Sequence, residues 1–258
     1  MAVKGLEKFK EYFSDFKENY VIIGGTACSI ILRDAPMKPR ATKDIDIILI
    51  VEQMSPDFGR QFWKFIEDGE YTTRERKRDE GKNPVPELFR FSQPLNEGFP
   101  LQIELLSKCP DILSIPADFH LTPIPIGEEV PSLSAILMNE EFYYFALEHS
   151  ITEDELHIAD SVGLMCLKMK AYLNLTEQEP PAHNSDIRKH MSDVFKLMAG
   201  GNIEEPVTLS ENMRRDIASF IEKMKVLMPN RPLQDSIQRN EIFIQQVLDE
   251  MKRIFKLI

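Results

Sequence analysis

Residues 21–34 read VIIGGTACSIILRD, and residues 43–51 read KDIDIILIV. The first stretch predicts a short strand that ends in two glycines, followed by a helix with Thr26 at its start, where the hydroxyl can cap free backbone N–H groups. The second predicts a largely buried strand, because every position after Asp46 is apolar. A glycine pair between a strand and a helix is either a tight turn or a phosphate site, since glycine lets a ligand approach the backbone closely.

Two aspartates follow the glycine pair at a spacing that places them on one face of a strand. Asp44 and Asp46 are two residues apart on a predicted strand, so both side chains point to one face, with Cα atoms roughly 6.5 Å apart. Such a pair can hold two Mg²⁺ ions, or it can be two solvated charges at a strand start. Glu104, within the apolar run LQIELLS (101–107), can complete a three-carboxylate site if its strand pairs near that of Asp44 and Asp46. Glu87 is a weaker candidate for the same place.

The remaining pattern predicts two domains. The first, residues 1–157, runs α-β-α-β-α-β-β: it contains a helix over 3–18, a charged loop at TRERKRDEGKNP (73–84) and an antiparallel hairpin of ELFRFSQ and LQIELLS. This order predicts a mixed sheet with helices packed on it. The second domain, residues 158–258, has helical periodicity throughout, and its methionines are expected in the core. Its predicted helices cover 158–173, 185–198, 209–228 and 233–258.

Composition narrows the class of protein. The net charge of -11 and the pI of about 5.1 count against a protein that binds nucleic acid chiefly through phosphates, though not against a local basic groove. The three cysteines have neither metal-binding nor disulfide spacing, which favours a reducing compartment. The amphipathic N-terminus does not resemble a signal peptide, and no apolar run is long enough to cross a bilayer. We expect a cytoplasmic protein with no membrane partner.

The glycine pair and the acids resemble the nucleotidyltransferase superfamily with the polymerase-beta-like fold, which includes DNA polymerase beta and the aminoglycoside nucleotidyltransferases. That signature is an apolar strand, Gly-Gly or Gly-Ser, a short helix, D-x-D on the next strand and a later acid. The resemblance implies an α/β class, with a nucleotidyltransferase-type mixed sheet and flanking helices, followed by an all-helical C-terminal domain. The text GGTA with RATKDID looks most like the AbiEii-type nucleotidyltransferase toxins, matching at Gly24, Gly25, Thr26, Arg40, Thr42, Asp44 and Asp46.

The resemblance extends loosely into the second domain. The family has a lysine in a K-x-x-A helix, matched by Lys168 in LKMKAYL, and a K-D-x-x-D-L-like helix, matched in KHMSDVF by Lys189 and Asp193. His190 stands where the family has an acid. At 100° per residue, Lys168 flanks the buried stripe of its helix, and Asp186, His190 and Asp193 form one polar flank of theirs. This flank can line a cleft, or it can consist of merely exposed polar residues.

The resemblance implies a Mg²⁺-dependent enzyme that moves a nucleoside monophosphate from a nucleoside triphosphate (NTP) to a hydroxyl acceptor and releases pyrophosphate. Two Mg²⁺ ions are expected at Asp44, Asp46 and Glu104. Glu104 would also activate the acceptor hydroxyl, and Lys168 would neutralise phosphate charge. The residues implied to bind the nucleotide are Gly24, Gly25, Thr26, Arg40, Thr42, Lys43 and Asp193.

Several acceptors and one non-enzymatic alternative remain open. The toxin resemblance implies RNA, such as a tRNA end, or a protein hydroxyl, and an antitoxin protein as a partner. An antibiotic-like small molecule is a second acceptor class, and a non-catalytic nucleotide-binding or partner-binding protein is the alternative. The basic cluster at Arg74, Arg76, Lys77 and Arg78 can meet RNA phosphates or be a solvated loop.

Overall fold

The computed structural model covers the 258-residue chain and describes residues 3–76, 85–109, 121–124, 126, 133–180, 182–201, 203–229 and 231–257. Two units are distinguished: Met1–Ser29 with Arg40–Ala159, and Ile30–Pro39 with Asp160–Ile258. Two members of the predicted basic cluster, Lys77 and Arg78, lie outside the described residues. The side chains of Arg74, Arg76 and Glu87 do so as well.

The first unit is organised around one mixed sheet. Its strands in the described residues are β1 (Tyr20–Ile23), β2 (Asp44–Leu49), β3 (Thr72–Arg76), β4 (Val85–Ser92), β5 (Gln102–Ser107), β6 (Leu121–Ile124), β7 (Leu133–Leu137), β8 (Ser150–Glu153) and β9 (Leu156–Ala159). They follow the order β3-β4-β5-β2-β1-β9-β8, and β7 pairs with β5 and β6. Pairing is antiparallel for β1 with β2 and for β4 with β5, and parallel for β2 with β5. The central strands β1 and β2 are almost wholly buried, which is why their sequences are nearly continuous apolar runs.

Helices flank this sheet, and the first and third of them contact it through aromatic side chains. They are α1 (Leu6–Phe13), α2 (Gly24–Ile31), α3 (Pro56–Asp68) and α4 (Glu140–Glu148). Helix α3 begins cleanly because the Ser55 hydroxyl accepts a hydrogen bond from the Phe58 N–H and Pro56 needs no intrahelical partner. Its buried phenylalanines contact Phe13 of α1, so the two helices share one aromatic core.

The second unit is helical in its described residues from 160 onward. Its helices are α5 (Ser161–Glu177), α6 (Asn184–Gly200), α7 (Glu211–Leu227), α8 (Arg231–Ile237) and α9 (Glu241–Ile254). Six methionines of this unit are buried, as expected for core, whereas Met198 and Met228 are half-buried; the buried ones are Met165, Met169, Met191, Met213, Met224 and Met251. Among the described helices, none combines the length and the apolar character that a membrane span requires.

The predicted fold class is confirmed: a mixed sheet with flanking helices precedes an all-helical region. The details differ in places. Residues 72–76 form strand β3 against β4, where a charged loop was expected. The helix expected over 3–18 ends at Phe13 and continues as a 3-10 segment, and the one expected over 233–258 is split in two because Asn240 caps a new helix. The hairpin of β8 and β9 was not predicted, and the domain boundary at 157/158 stays a prediction.

Candidate active site

The glycine turn lies directly against the second aspartate of the D-x-D pair. Strands β1 and β2 are antiparallel with Ile23 opposite Asp46, so the residue after β1, Gly24, lies beside Asp46. Gly24 has φ +68°, a left-handed conformation that favours glycine. A Cβ at this position would lie 3.1 Å from Asp46 Cγ and closer still to Oδ2. Both the backbone conformation and the neighbouring carboxylate therefore favour glycine at this position.

The second glycine contacts two further predicted residues. A Cβ at Gly25 would lie 2.9 Å from Thr42 Oγ1 and 3.1 Å from Arg40 Nη2. The hydroxyl and the guanidinium therefore pack against the first turn of α2, where backbone N–H groups have no intrahelical acceptor. Both side chains are half-buried. Lys43 is exposed, and its carbonyl accepts a hydrogen bond of 3.0 Å from the Leu101 N–H.

The Thr26 hydroxyl does not cap the start of helix α2 as expected, and a nucleotide contact by Thr26 stays a prediction. Helix α2 begins at Gly24, so Thr26 lies within its first turn, and its side chain is fully buried. Its hydroxyl donates a 2.7 Å hydrogen bond to the carbonyl of Asp44. The prediction that Thr26 starts the helix is wrong. The hydroxyl instead fastens the glycine turn to the D-x-D strand.

The predicted third acid lies on the strand next to the aspartates. In the parallel pairing of β2 with β5, Asp44 is opposite Gln102 and Asp46 is opposite Glu104. Residues two apart share a face of the sheet, so the two aspartates, Gln102 and Glu104 all project from one face. Asp44, Asp46 and Glu104 are half-buried. The structure thus places the three predicted acids on adjoining strands and on the same face.

Glu104 is nevertheless engaged by a residue that the sequence analysis missed. Arg90, opposite Glu104 in the antiparallel pairing of β4 with β5, donates from Nε to Oε2 at 3.1 Å and from Nη2 to Oε1 at 3.0 Å. Gln102 Nε2 adds a 3.3 Å hydrogen bond to Oε2. The available signal was the alternation of ELFRFSQ, which puts Arg90 on the face opposite to Phe89 and Phe91.

This pairing bears on the predicted metal site. Across the described residues, no three His, Cys, Asp or Glu side chains converge closely enough to hold a metal ion. The three-acid cluster is therefore not assembled in this arrangement. Mg²⁺ usually takes one or two protein carboxylates together with substrate phosphates, so the donor chemistry of Asp44 and Asp46 still fits a Mg²⁺-nucleotide.

The residues predicted from the second domain form a buried ion pair within the second unit. Lys168 Nζ donates to Asp193 Oδ2 at 2.7 Å, and the two side chains are only 4% and 2% exposed. Asp193 therefore compensates the positive charge of Lys168, and no phosphate is needed for that. On the same polar flank, Lys189 hydrogen-bonds to Asp186 at 3.0 Å and lowers the pKa of that carboxyl, while His190 is half-buried. A nucleotide contact by Lys168 or Asp193 stays a prediction.

Comparison with known proteins gives structural neighbours only. No protein-family model matches the chain, and no curated protein matches it in sequence. An antigenic nucleotidyltransferase-like protein from Paracoccidioides brasiliensis aligns over 91% of this chain and 94% of its own, with 11% identity and a TM-score of 0.40. The Megavirus polyadenylate synthase aligns over 89% of this chain, with 14% identity and a TM-score of 0.38, and the aligned part is 38% of the synthase. The antibiotic-resistance factor ANT(2'')-Ia aligns over 86% of this chain and 92% of its own, with 11% identity and a TM-score of 0.37. At such values the likenesses do not decide what the chain does.

Proposed function

We propose that this protein is a Mg²⁺-dependent nucleotidyltransferase that moves a nucleoside monophosphate from an NTP to a hydroxyl acceptor. One observation carries the proposal: the carboxylate of Asp46 packs so closely against Gly24, at the start of helix α2, that a Cβ at this position would displace it. A carboxylate of the kind that binds metal ions is thereby in contact with a glycine turn of the kind that binds phosphate, although Asp46 and Gly24 are 22 positions apart in the chain. A plain turn needs no carboxylate at this point.

The chain's own residues then have distinct tasks. The backbone N–H groups at Gly24 and Gly25 and the positive end of α2 favour a triphosphate. Arg40 and Thr42, which pack on Gly25, supply a guanidinium and a hydroxyl beside it. Lys43 is exposed and adds positive charge next to Asp44 in the chain.

In the reaction, a bond forms between the acceptor oxygen and the α-phosphorus, and the bond from that phosphorus to the bridging oxygen breaks, so pyrophosphate leaves. The acceptor hydroxyl gives up its proton, and Glu104, which is opposite Asp46 on strand β5, would accept it. Asp44 and Asp46 would hold Mg²⁺, which supplies charge neutralisation of the phosphates when bound. The two-ion site that includes Glu104, and contacts of Lys168 and Asp193 with nucleotide, are extensions of the same proposal.

We rank the possible acceptors by what the sequence resemblance implies. RNA, such as a tRNA end, or a protein hydroxyl comes first, with an antitoxin protein as partner and a cytoplasmic location. A small molecule of the antibiotic type is the second acceptor class. The net charge of -11 favours an acceptor that is not held mainly through its phosphates.

Nucleotide labelling tests the proposal. The protein is incubated with α-labelled NTPs and Mg²⁺ in the presence of a tRNA pool, an aminoglycoside panel, or no added acceptor. Asp44→Asn and Asp46→Asn should each lower labelling by about 100-fold or more, as expected for loss of a charged group acting on phosphate. Asp57→Asn is the matched control, because Asp57 is an exposed aspartate that pairs only locally with Arg60. Equal labelling by the wild type and the Asp44→Ala/Asp46→Ala variant would refute the proposal.

A second candidate function, nucleotide binding without catalysis, is favoured by the ion pair of Glu104 with Arg90. An acid that is engaged in this way does not act as a base until the pair opens. Thermal unfolding with ATP or GTP, with and without Mg²⁺, separates the two functions. Stabilisation that does not depend on the metal, together with no labelling of any acceptor, would select the binding protein.

A further inference from the structure

The face of the sheet that carries the acids also carries two neutral polar side chains. Gln102 on β5 is opposite Asp44 on β2 and opposite Ser92 on β4, and residues that are opposite each other project from one face. Phe91, which precedes Ser92, lies on the other face and is fully buried. Gln102 and Ser92 are both half-buried. An amide and a hydroxyl therefore continue the row of Asp44 away from strand β2.

Both of these groups have hydrogen-bonding capacity to spare. Gln102 Nε2 donates to Glu104 Oε2 at 3.3 Å, which uses one of its two amide hydrogens and leaves the amide oxygen for another donor. Within the part of the chain that the structure describes, the Ser92 hydroxyl makes no hydrogen bond; it is the main-chain carbonyl of Ser92 that accepts from Thr72 Oγ1. Each side chain can therefore both donate to a ligand and accept from it.

The geometry of the proposed reaction brings the acceptor to these two residues. In phosphoryl transfer the attacking and leaving oxygens lie roughly in line, on opposite sides of the phosphorus. The glycine turn that would hold the triphosphate follows β1, and the sheet order β4-β5-β2-β1 puts β1 and β5 on opposite sides of Asp44 and Asp46. Pyrophosphate would leave on the β1 side, so the acceptor approaches on the β5 side. Neighbouring strands are about 4.8 Å apart, which leaves Gln102 within reach of a small group beside the acceptor oxygen.

The hydrogen-bonding chemistry of the two side chains indicates which group they bind. A phosphate only accepts hydrogen bonds and an ammonium only donates them, whereas a hydroxyl does both, as the Gln102 amide and the Ser92 hydroxyl do. Gln102 Nε2 is 3.3 Å from Glu104 Oε2, which belongs to the carboxylate that would take the acceptor's proton. A ligand hydroxyl bound by this amide would therefore be a close neighbour of the reacting hydroxyl, as two hydroxyls on adjacent carbons of a sugar ring are.

We propose that Gln102 and Ser92 form an acceptor subsite for a vicinal diol, two hydroxyls on adjacent carbons of a sugar ring, one of which receives the nucleotidyl group. This inference rests on the proposed function and specifies the acceptor for it. Neutral contacts of this kind do not depend on phosphates of the acceptor, which agrees with the net charge of -11. If Gln102 merely supported Glu104, it would not distinguish acceptors with and without the diol.

Equilibrium binding without turnover tests the subsite. The full-length protein, with Mg²⁺ and a non-hydrolysable NTP analogue, is titrated with two pairs of probes by isothermal titration calorimetry. One pair is a short RNA strand that ends in a ribose diol and the same strand with both of these hydroxyls removed. The other pair is an aminoglycoside with a vicinal diol and its dideoxy relative. The members of a pair have the same charge, so the ratio of their affinities reports the hydroxyls.

The wild type should bind the diol member of one pair at least about fivefold more tightly than its partner, and that pair identifies the source of the diol. Gln102→Met keeps the length of the side chain and removes the amide, and Ser92→Ala removes the hydroxyl. Each variant should reduce the preference at least about threefold and leave the affinity for the dideoxy member within about twofold. Gln61→Met is the matched control, because Gln61 is also half-buried and donates from Nε2 to the Tyr12 carbonyl at 2.8 Å.

The outcomes separate this inference from the proposed function. Equal affinities within both pairs, binding of neither pair, or a full preference that survives in either variant would overturn the subsite. Labelling of an acceptor without a vicinal diol, equally by the wild type and Gln102→Met, would keep the proposed function and overturn the subsite. A diol preference that depends on Gln102 and Ser92, with no labelling of any acceptor, would instead refute the transferase and leave the diol contact standing.

Discussion

Gly24→Ala is the sharpest single perturbation of the candidate site. Gly24 has φ +68°, and a left-handed conformation costs an alanine roughly 1–2 kcal/mol. The new methyl carbon would lie 3.1 Å from Asp46 Cγ and 3.3 Å from Asp46 Cβ, and closer to Oδ2. Ordinary contacts between such atoms are about 3.5–4.0 Å, so the carboxylate must move by about 1 Å.

The expected effects on stability and on activity differ in size. The free energy of unfolding should fall by about 1–3 kcal/mol, from backbone strain and the repacking of Asp46. A misplacement of about 1 Å at a reacting centre costs on the order of 100-fold in rate. The variant should therefore fold at room temperature and still lose most of its labelling activity.

Urea unfolding and nucleotide labelling measure the two effects on the same preparation. Gly98→Ala is the matched control, because Gly98 has no left-handed φ and an added Cβ would meet only Asn96 Oδ1, at 3.3 Å. Gly25→Ala should give an intermediate result, since Thr42 and Arg40 can give way more easily than the backbone at Gly24. A folded Gly24→Ala variant that labels acceptor within about threefold of the wild type would show that the Asp46 contact is not part of the active centre.

Three further predictions concern the groups around the site and in the second unit. Lys168→Met should lower the free energy of unfolding by about 3–5 kcal/mol in urea melts, because it leaves Asp193 charged and buried, and Lys168→Met/Asp193→Leu should recover most of that loss. Thr26→Val should cost about 1–3 kcal/mol in the same assay by leaving a part-buried carbonyl without this donor. A loss of activity without a loss of stability would contradict the fastening role. Burial by itself would raise the pKa of Glu52, but the hydrogen bond from Lys108 holds it below the ordinary 4.5. The stability that the ionised Glu52 adds is therefore present above pH 4.5 and is lost as pH falls through the lowered pKa. Glu52→Gln should make the free energy of unfolding less dependent on pH in the acid range. An unchanged pH dependence would count against the pairing of Glu52 with Lys108.

The sequence predicts those parts of the site that depend on local periodicity. Alternation along a strand places Asp44 and Asp46 on one face without knowledge of the sheet. The antiparallel order of β1 and β2, which brings Gly24 to Asp46, does not follow from this alternation, because strands joined through a helix can also pair in parallel. Register is a different matter. Glu104 is opposite Asp46 on one side and opposite Arg90 on the other only because β5 lies between β2 and β4 in one particular register. A shift of β5 by one residue would turn its side chains to the opposite face of the sheet.

The buried pair in the second unit shows the same limit for helices. Rotation by 100° per residue places Lys168 beside the apolar stripe of its helix, as found. Burial of an ammonium requires a partner, since an isolated charge in the interior costs several kcal/mol. That partner, Asp193, lies 25 residues further along the chain, and only tertiary packing brings it into range. A helical pattern identifies the side chain that needs compensation and cannot identify the group that provides it.

The contact between Gly24 and Asp46 also explains why the proposed chemistry depends on a cation. The carboxylate occupies the positive end of helix α2, which is a favourable position for one anion. A triphosphate drawn to the same helix end meets a like charge at close range, and the two repel each other strongly because the site is half-buried. A divalent cation between them removes that repulsion. Binding of an NTP without Mg²⁺ should therefore be weak in the wild type and should improve in Asp46→Asn, where the repulsion is absent. Nucleotide affinity measured without metal checks this sign, and weaker binding by Asp46→Asn would mean that the carboxylate does not share the helix end with phosphate.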